Sequence, residues 1–190
     1  MTPVDPLRVA AQIAAILEEA GIRYVIGGSL ASSIHGEPRL SIDLDIMIEV
    51  SEEMVGGLVQ RLRPDFYVQT EAVLDAVQRQ SAFNIIHLES AMKVDLFVAE
   101  NDESVQRQLD RRIAVNAAGT SVYVYAPEDI LVRKLRWFRL GGELSDLQWR
   151  DVLGILRISG ERLDQSYLEE AATRFGVLDL LKRAREEAGE

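Results

Sequence analysis

Hydrophobic positions recur along this chain with two periods, and the period changes near residue 125. Before that point, segments with helical spacing, such as 6–20, are interleaved with short apolar or alternating runs typical of strands, such as 93–98. Beyond Pro127 only the helical spacing recurs. The pattern predicts a mixed α/β module over residues 1–125, followed by a helical module over residues 126–190.

The individual elements follow from this pattern and from the glycines and prolines that interrupt it. Gly21 ends the first helix, and Pro64 ends the third. The predicted strands are 23–26, 40–50, 66–69, 83–88, 93–98 and 122–125. The predicted helices are 6–20, 29–35, 51–63, 71–80, 102–111, 127–139, 145–158, 164–174 and 176–187. Together these elements favour an α/β (α+β) fold.

The composition excludes several classes of protein. None of the 190 residues is cysteine, so disulfides, zinc–thiolate sites and cysteine nucleophiles are excluded together. No run approaches the roughly 18 apolar residues of a membrane span. The segment from Met1 to Asp5 lacks the basic and apolar parts of a signal peptide. We therefore expect a cytoplasmic protein with no membrane partner.

The charge is acidic and unevenly distributed. The chain carries 21 basic and 31 acidic residues, a net charge of -10. Residues 1–125 hold 10 basic and 18 acidic side chains (net -8), which leaves 11 and 13 (net -2) for residues 126–190. A surface that coats nucleic acid is basic, because it must neutralise phosphates, so this charge argues against such a role. The less acidic part includes a basic run from Arg133 to Arg139.

One stretch combines features of phosphate and metal chemistry. Gly27, Gly28 and Ser29 are followed, after thirteen residues, by Asp43 and Asp45. In a strand these two acids share one face, with Cα atoms about 7 Å apart, which suits a pair of magnesium ions roughly 3.5–4 Å apart. Glycines let the backbone approach a ligand, and a helix that begins at Ser29 presents free N–H groups to phosphate. The combination predicts nucleoside triphosphate chemistry.

A third acid completes the pattern. Asp95 lies in the predicted strand 93–98, on the face opposite Val94 and Leu96. If this strand pairs beside the strand of Asp43, at a spacing of about 4.8 Å, Asp95 joins the same cluster. It would then be a ligand of the second metal, or the base that takes the proton of an attacking hydroxyl.

These residues resemble those of the DNA polymerase beta-like nucleotidyltransferase superfamily. The segment Tyr24–Ile46 is similar to its first motif, and Lys93–Val98 to its third-carboxylate strand. Ala126–Leu135 resembles a helix of small bacterial members, notably toxin nucleotidyltransferases of the abortive-infection kind. The resemblance implies a nucleotidyltransferase fold with a mixed sheet flanked by helices. Residues 1–125 would be the catalytic core, and residues 126–190 a helical module that closes over the nucleotide.

The resemblance also implies a reaction and a set of site residues. The reaction is magnesium-dependent transfer of a nucleoside monophosphate from a triphosphate (NTP) to a hydroxyl, with release of pyrophosphate. The implied catalytic residues, which would also hold two magnesium ions, are Asp43, Asp45 and Asp95. The predicted nucleotide-binding residues are Gly27, Gly28, Ser29, Arg39, Lys134 and Asp151. Asp146 is the alternative to Asp151, and Arg39 either binds phosphate or pairs with an acid.

The acceptor stays open among three hypotheses. The first is a toxin that modifies the acceptor end of transfer RNA, with Arg133, Arg136 and Arg139 as a local basic surface and an antitoxin protein as a partner. The second is an enzyme that modifies a hydroxyl of an aminoglycoside or lincosamide antibiotic; the net charge of -10 favours it, because an acidic cleft suits a cationic drug. The third is a non-catalytic nucleotide-binding module, which would have no need of all three acids.

The aromatic and histidine residues of interest are given structural roles. We expect Trp137 and Trp149 to pack between the last helices. His35 and His87 have no second metal ligand near them in the predicted elements, so we expect both to be structural.

Overall fold

The computed structural model describes residues 5–39 and 43–189, and within these residues the chain forms a seven-stranded mixed sheet flanked by helices. The strands are β1 (Arg23–Ile26), β2 (Asp43–Glu49), β3 (Phe66–Tyr67), β4 (Ala82–His87), β5 (Lys93–Val98), β6 (Ile113–Ala117) and β7 (Thr120–Val124). The helices are α1 (Pro6–Glu19), α2 (Gly28–His35), α3 (Glu52–Leu62), α4 (Thr70–Gln78), α5 (Glu103–Asp110), α6 (Pro127–Leu140), α7 (Asp146–Ser159), α8 (Gln165–Arg174) and α9 (Leu178–Ala188). The predicted fold class is confirmed.

The sheet is mixed because two parallel pairings interrupt an antiparallel arrangement. The strand order is β3-β4-β5-β2-β1-β7-β6. Strand β2 runs parallel to β5, and β1 runs parallel to β7. The remaining neighbours are antiparallel. Strands β2 and β5 therefore lie side by side near the middle of the sheet, as the acid pattern requires.

One face of these central strands forms the core. Leu44, Ile46 and Ile48 of β2 are 0% exposed, and Val94 and Leu96 of β5 are buried with them. Helix α1 contacts β1, β2 and β7, as well as α3. Alternation along a strand sends every second residue to the opposite face, where Asp43 and Asp45 lie together with the buried Met47. Full burial of each such side chain contributes about 1.5–3 kcal/mol.

Two differences from the predicted elements have local causes. Strand β6 is absent from the prediction because its residues are mostly exposed, which leaves no clear alternation. It is joined to β7 by a two-residue turn in which Ala118 has a φ of 51° and Gly119 a φ of 86°, and positive φ at both central residues is what such hairpins favour. Strand β3 stops at Tyr67, because Gln69 already caps α4. The start of the predicted strand 40–50 lies outside the described residues up to position 42.

The described residues fall into two compact units. The first unit consists of residues 5–28 and 43–125 and contains the whole sheet. The second consists of residues 29–39 and 126–189. The predicted division at residue 125 remains a prediction about domains; within the structure, residues 29–39 pack with the helical module. Every helix in the described parts is too short or too polar to cross a membrane.

The second unit packs four helices of the C-terminal region together with residues 29–39. Helix α6 contacts α7 and α8, and α7 contacts α9. The backbone at Gly36 comes so close to α7 that a Cβ there would lie 2.7 Å from the Ile155 nitrogen. The Ser159 hydroxyl also donates a hydrogen bond of 2.6 Å to the carbonyl of His35, which is buried. These contacts explain why residues 29–39 belong to this unit.

Candidate functional site

The three predicted acids lie on the two neighbouring parallel strands of the first unit. Asp45 is paired in register with Asp95, and Asp43 is paired with Lys93. Paired residues of neighbouring strands and residues two apart on one strand share a face of the sheet. We call these four residues the acid face. The strands of Asp43 and Asp95 pair as expected, and the register places Asp95 opposite Asp45, while the catalytic and metal roles of the three acids remain predictions.

The acid face lies opposite the core. Leu44 and Val94, which separate its members along the strands, are fully buried, whereas Asp43 is exposed and Asp45 is half-buried. The side chain of Asp95 is 22% exposed. The same alternation that buries the apolar residues thus keeps the carboxylates accessible to solvent and to ligands.

Lys93 is the member that sequence reasoning missed. Its Nζ lies 2.8 Å from Oδ2 of Asp95. The hydrogen bond and charge of Asp95, together with the charges of Asp43 and Asp45, raise the pKa of Lys93. The sequence does contain the information: Lys93 and Asp95 are two residues apart, as Asp43 and Asp45 are, and this spacing in a strand predicts a shared face.

The two predicted glycines contact the acid strand. Gly28 has a φ of +57°, and a Cβ at this position would lie 1.9 Å from Oδ2 of Asp45. The Gly27 nitrogen donates a hydrogen bond of 2.9 Å to the Asp45 carbonyl, and a Cβ on Gly27 would lie 3.0 Å from the ring of Tyr125. Only glycine fits at Gly28 without displacing the carboxylate. Phosphate binding by these glycines remains a prediction.

The donor chemistry of the acid face suits magnesium, which prefers carboxylate oxygens and water. Within residues 5–39 and 43–189, however, no group of three or more His, Asp or Glu side chains is gathered as a metal centre. One reason is on the acid face itself, where Asp95 is paired with Lys93. The residues fit the metal in type and in backbone placement, and the carboxylate of Asp95 is held by Lys93.

The remaining predicted residues come together in the second unit. The Asp151 carboxylate accepts hydrogen bonds from Nε and Nη2 of Arg39 at 2.8 and 3.0 Å, and its Oδ2 lies 2.8 Å from Nζ of Lys134. Nη2 of Arg39 also donates to the Ser29 hydroxyl. We call these four residues the Asp151 cluster. Of the two interpretations of Arg39, pairing with an acid is the one realised here.

The Asp151 cluster is buried and carries two positive charges to one negative. The side chains of Lys134 and Asp151 are 5% and 3% exposed. Burial raises the pKa of Asp151, but the hydrogen bonds from Arg39 and Lys134 outweigh it, so that this pKa lies below its ordinary value. The hydrogen bond to Asp151 likewise raises the pKa of Arg39. Asp151 and Arg39 are therefore both held in their charged forms.

Several side expectations meet different outcomes. Ser29 lies within the first turn of α2, which begins at Gly28, so it does not cap that helix as expected. Asp146 is exposed at the start of α7 and takes no part in the described Asp151 cluster. Trp149 packs against Phe138, with ring centroids 4.9 Å apart. The prediction that Trp137 packs between the last helices is wrong, because this residue is 55% exposed.

The basic run at the end of α6 is largely occupied by contacts within the second unit. Arg139 donates to the Asp179 carboxylate at 2.6 Å and to the Gly176 carbonyl at 2.9 Å. The guanidinium of Arg136 lies 5.3 Å from the ring centroid of Phe175. Two of the three arginines that were predicted to contact RNA thus already contribute to the packing of the helices.

Comparison with known proteins identifies the fold. No profile of a known protein family matches the chain, and no curated protein sequence matches it significantly. Among solved structures, it is similar to an antigenic nucleotidyltransferase-like protein from Paracoccidioides brasiliensis, with a TM-score of 0.59 and 20% identity over 96% of this chain and 90% of that one.

Two further structures are of antibiotic-modifying proteins. ANT(2'')-Ia, in complex with adenylyl-2''-tobramycin, has a TM-score of 0.59 and 15% identity over 89% of this chain and 95% of that one. The lincosamide antibiotic adenylyltransferase LnuA, bound to lincomycin, has a TM-score of 0.50 and 15% identity over 77% and 93%. The chain has the nucleotidyltransferase fold, which confirms the fold that the sequence resemblance implied.

Proposed function

We propose that this chain is a nucleotidyltransferase, which moves a nucleoside monophosphate from an NTP to an acceptor hydroxyl and releases pyrophosphate. The observation that carries this proposal is the strand register, which pairs Asp45 with Asp95 and keeps Asp43 on the same face. Beside these carboxylates lies Gly28, whose positive φ and close approach to Asp45 leave no room for a side chain. Within a nucleotidyltransferase fold, such a face supplies oxygen ligands for cations and backbone that can come close to phosphate.

In the first unit we assign two roles to the three acids. Asp43, Asp45 and Asp95 would hold magnesium, two ions being the expected number. Bound magnesium neutralises charge on the phosphate oxygens and on the leaving group. Asp95 would accept the proton of the acceptor hydroxyl. The oxygen of that hydroxyl then bonds to the α-phosphorus, and the bond between the α-phosphorus and the pyrophosphate oxygen breaks.

In the second unit we assign the Asp151 cluster to the triphosphate. Its two cations and one carboxylate leave a surplus positive charge in a buried setting, where an anion is bound more strongly than at the surface. Lys134, Arg39 and Ser29 would contact phosphate oxygens. Asp151 then acts by orienting the two cations.

For the acceptor, we favour a small hydroxyl-bearing molecule over transfer RNA. One reason is that two arginines of the basic run on α6, Arg136 and Arg139, already contact residues of their own unit. The other is the net charge of the chain, which is -10 and disfavours the binding of RNA. The solved structures of ANT(2'')-Ia with adenylyl-2''-tobramycin and of a lincosamide antibiotic adenylyltransferase add a precedent on the same fold. A cytoplasmic location is part of the proposal, and an antitoxin partner belongs only to the transfer RNA hypothesis.

Label transfer tests the proposal. The protein is incubated with magnesium and each of four α-labelled nucleoside triphosphates, in parallel with total RNA and with a panel of aminoglycoside and lincosamide antibiotics. The proposal predicts label on a discrete small acceptor. The Asp45→Asn variant should transfer no label, and Asp75→Asn is its matched control, because Asp75 forms an exposed i,i+4 pair with Arg79.

The two acceptor classes and the non-catalytic hypothesis give different results. Label on RNA, lost steeply as salt rises, would replace the small acceptor by transfer RNA. Binding of the nucleotide in a calorimeter, without label on any acceptor in magnesium or manganese, would instead support a binding module and contradict the proposed reaction.

A further inference from the structure

The acid face contains a lysine at the position where a cation would be attracted. Asp43 faces Lys93 across the strand pair, and Asp45 faces Asp95, so that the ammonium and three carboxylates occupy the corners of one two-by-two patch. The Lys93 ammonium contacts Asp95 directly at 2.8 Å, and the charges of all three acids act on it.

The lysine is well suited to leave this position. Its side chain is 48% exposed, in contrast to the 5% of Lys134, so that the ammonium needs only rotations of a flexible stem to reach solvent. While it remains, it occupies an oxygen of Asp95 and repels any other cation. The same contact therefore offsets part of the negative charge of the acids in the absence of metal and opposes the binding of a metal ion.

We propose that Lys93 is a positioning residue that acts as an internal counterion of the acid face, and that a divalent cation must displace it from Asp95 in order to bind. This inference rests on the proposed function, because it takes the acid face to be the cation site. It concerns a residue that the sequence pattern of acids and glycines does not single out, and it predicts a property of binding that is separate from turnover.

The test is a titration of the intact protein with manganese, without nucleotide. Binding is measured from the electron paramagnetic resonance signal of the manganese that remains free. Lys93→Met keeps the length of the side chain and removes its charge. Lys182→Met is the matched control, since it makes the same substitution and the same change of net charge at an exposed position of α9. Asp45→Asn marks the contribution of the acid face itself.

We expect Lys93→Met to bind manganese about two- to fivefold more tightly than the wild type, the range for loss of a partly exposed ion pair. Lys182→Met should match the wild type, and Asp45→Asn should bind least. In thermal unfolding with a chelator, Lys93→Met should be less stable than the wild type, and manganese should raise its midpoint more. Lys93→Gln is measured beside it in case the methionine variant does not fold.

The outcomes separate the two proposals. Equal or weaker manganese binding by both Lys93 variants, while Asp45→Asn still loses binding, would overturn the role of Lys93 and leave the cation site standing. Manganese binding that is unchanged in Asp45→Asn, or absent from every variant, would overturn the cation site and this inference with it.

Discussion

On the acid face of the first unit, three carboxylates share one lysine at a partly exposed position, whereas in the Asp151 cluster of the second unit one buried carboxylate pairs with two cations. The surplus charge is negative in the first case and positive in the second. The two regions also differ in burial, since Lys93 is about half exposed and Lys134 is almost fully enclosed.

This difference in burial and charge determines how each region can respond to a ligand. A half-exposed pair contributes little to stability, because water screens it, and can therefore be broken by an incoming cation. A buried cluster cannot lose a partner without leaving a charge uncompensated, so it is a permanent part of the fold. We therefore expect changes at the acid face to affect function more than stability, and changes in the Asp151 cluster to affect both.

The largest expected effect on stability comes from breaking the Asp151 cluster. Asp151→Asn leaves the buried Lys134 and the partly buried Arg39 without a carboxylate, which should lower the free energy of unfolding by about 3–5 kcal/mol. Urea unfolding at neutral pH measures this. The control is Asp75→Asn in the exposed pair with Arg79, for which we expect about 0–0.5 kcal/mol. Equal losses of unfolding free energy in the two variants would contradict the claim that the buried cluster contributes more to stability than an exposed ion pair.

A smaller effect on stability is expected at Gly28, where two features can be tested separately: its close approach to the Asp45 carboxylate and its positive φ. Gly28→Ala should cost about 1–2 kcal/mol for its positive φ and should also push the Asp45 carboxylate aside, lowering nucleotidyl transfer about tenfold or more. Gly21→Ala is the matched control, because Gly21 has a φ of +68° and nothing within 4 Å of a Cβ. It should show a similar cost in stability and normal transfer. Normal transfer by Gly28→Ala would show that the contact with Asp45 is dispensable.

The smallest effect is a pH dependence specific to the buried cluster. The pKa of Asp151 is lower in the folded protein than its ordinary value of 3.8, so its pairing stabilises the fold fully above that pH and ceases to do so as pH falls through the lower folded value. The difference in unfolding free energy between the wild type and Asp151→Asn should therefore be constant from about pH 7 to about pH 5 and shrink below about pH 4. A difference that grows on acidification would contradict this.

Much of the fold follows from local pattern. The strand Arg23–Ile26, the strand Lys93–Val98 and the helix from Pro127 are found where apolar spacing and glycine or proline boundaries predict them. Strand β6 is not, because an exposed edge strand lacks the alternation that a half-buried strand shows. The packing of residues 29–39 with the helical module depends on the backbone contact between Gly36 and α7, which no local pattern encodes.

The candidate site divides in the same way. Asp43 and Asp45 on one face follow from alternation alone, and the register that brings Asp95 beside Asp45 agrees with the expected pairing. The pattern of acids and glycines does not single out Lys93, although its spacing of two from Asp95 places both residues on the same face. No local pattern predicts the contact of Arg39 with Asp151, which lie 112 residues apart in sequence. The family resemblance implied only that Lys134 and Asp151 both bind the nucleotide, not that they pair with each other.

The most direct test of the central claim is to change the acids of the acid face one at a time. Asp43→Asn, Asp45→Asn and Asp95→Asn are each assayed for label transfer from an α-labelled triphosphate, with unfolding curves to check the fold and Asp75→Asn as the control. The account predicts folded variants whose transfer falls by about a hundred- to ten-thousandfold, while the control keeps its activity. Full transfer by any folded variant of the three acids would contradict the claim that this face carries the reaction.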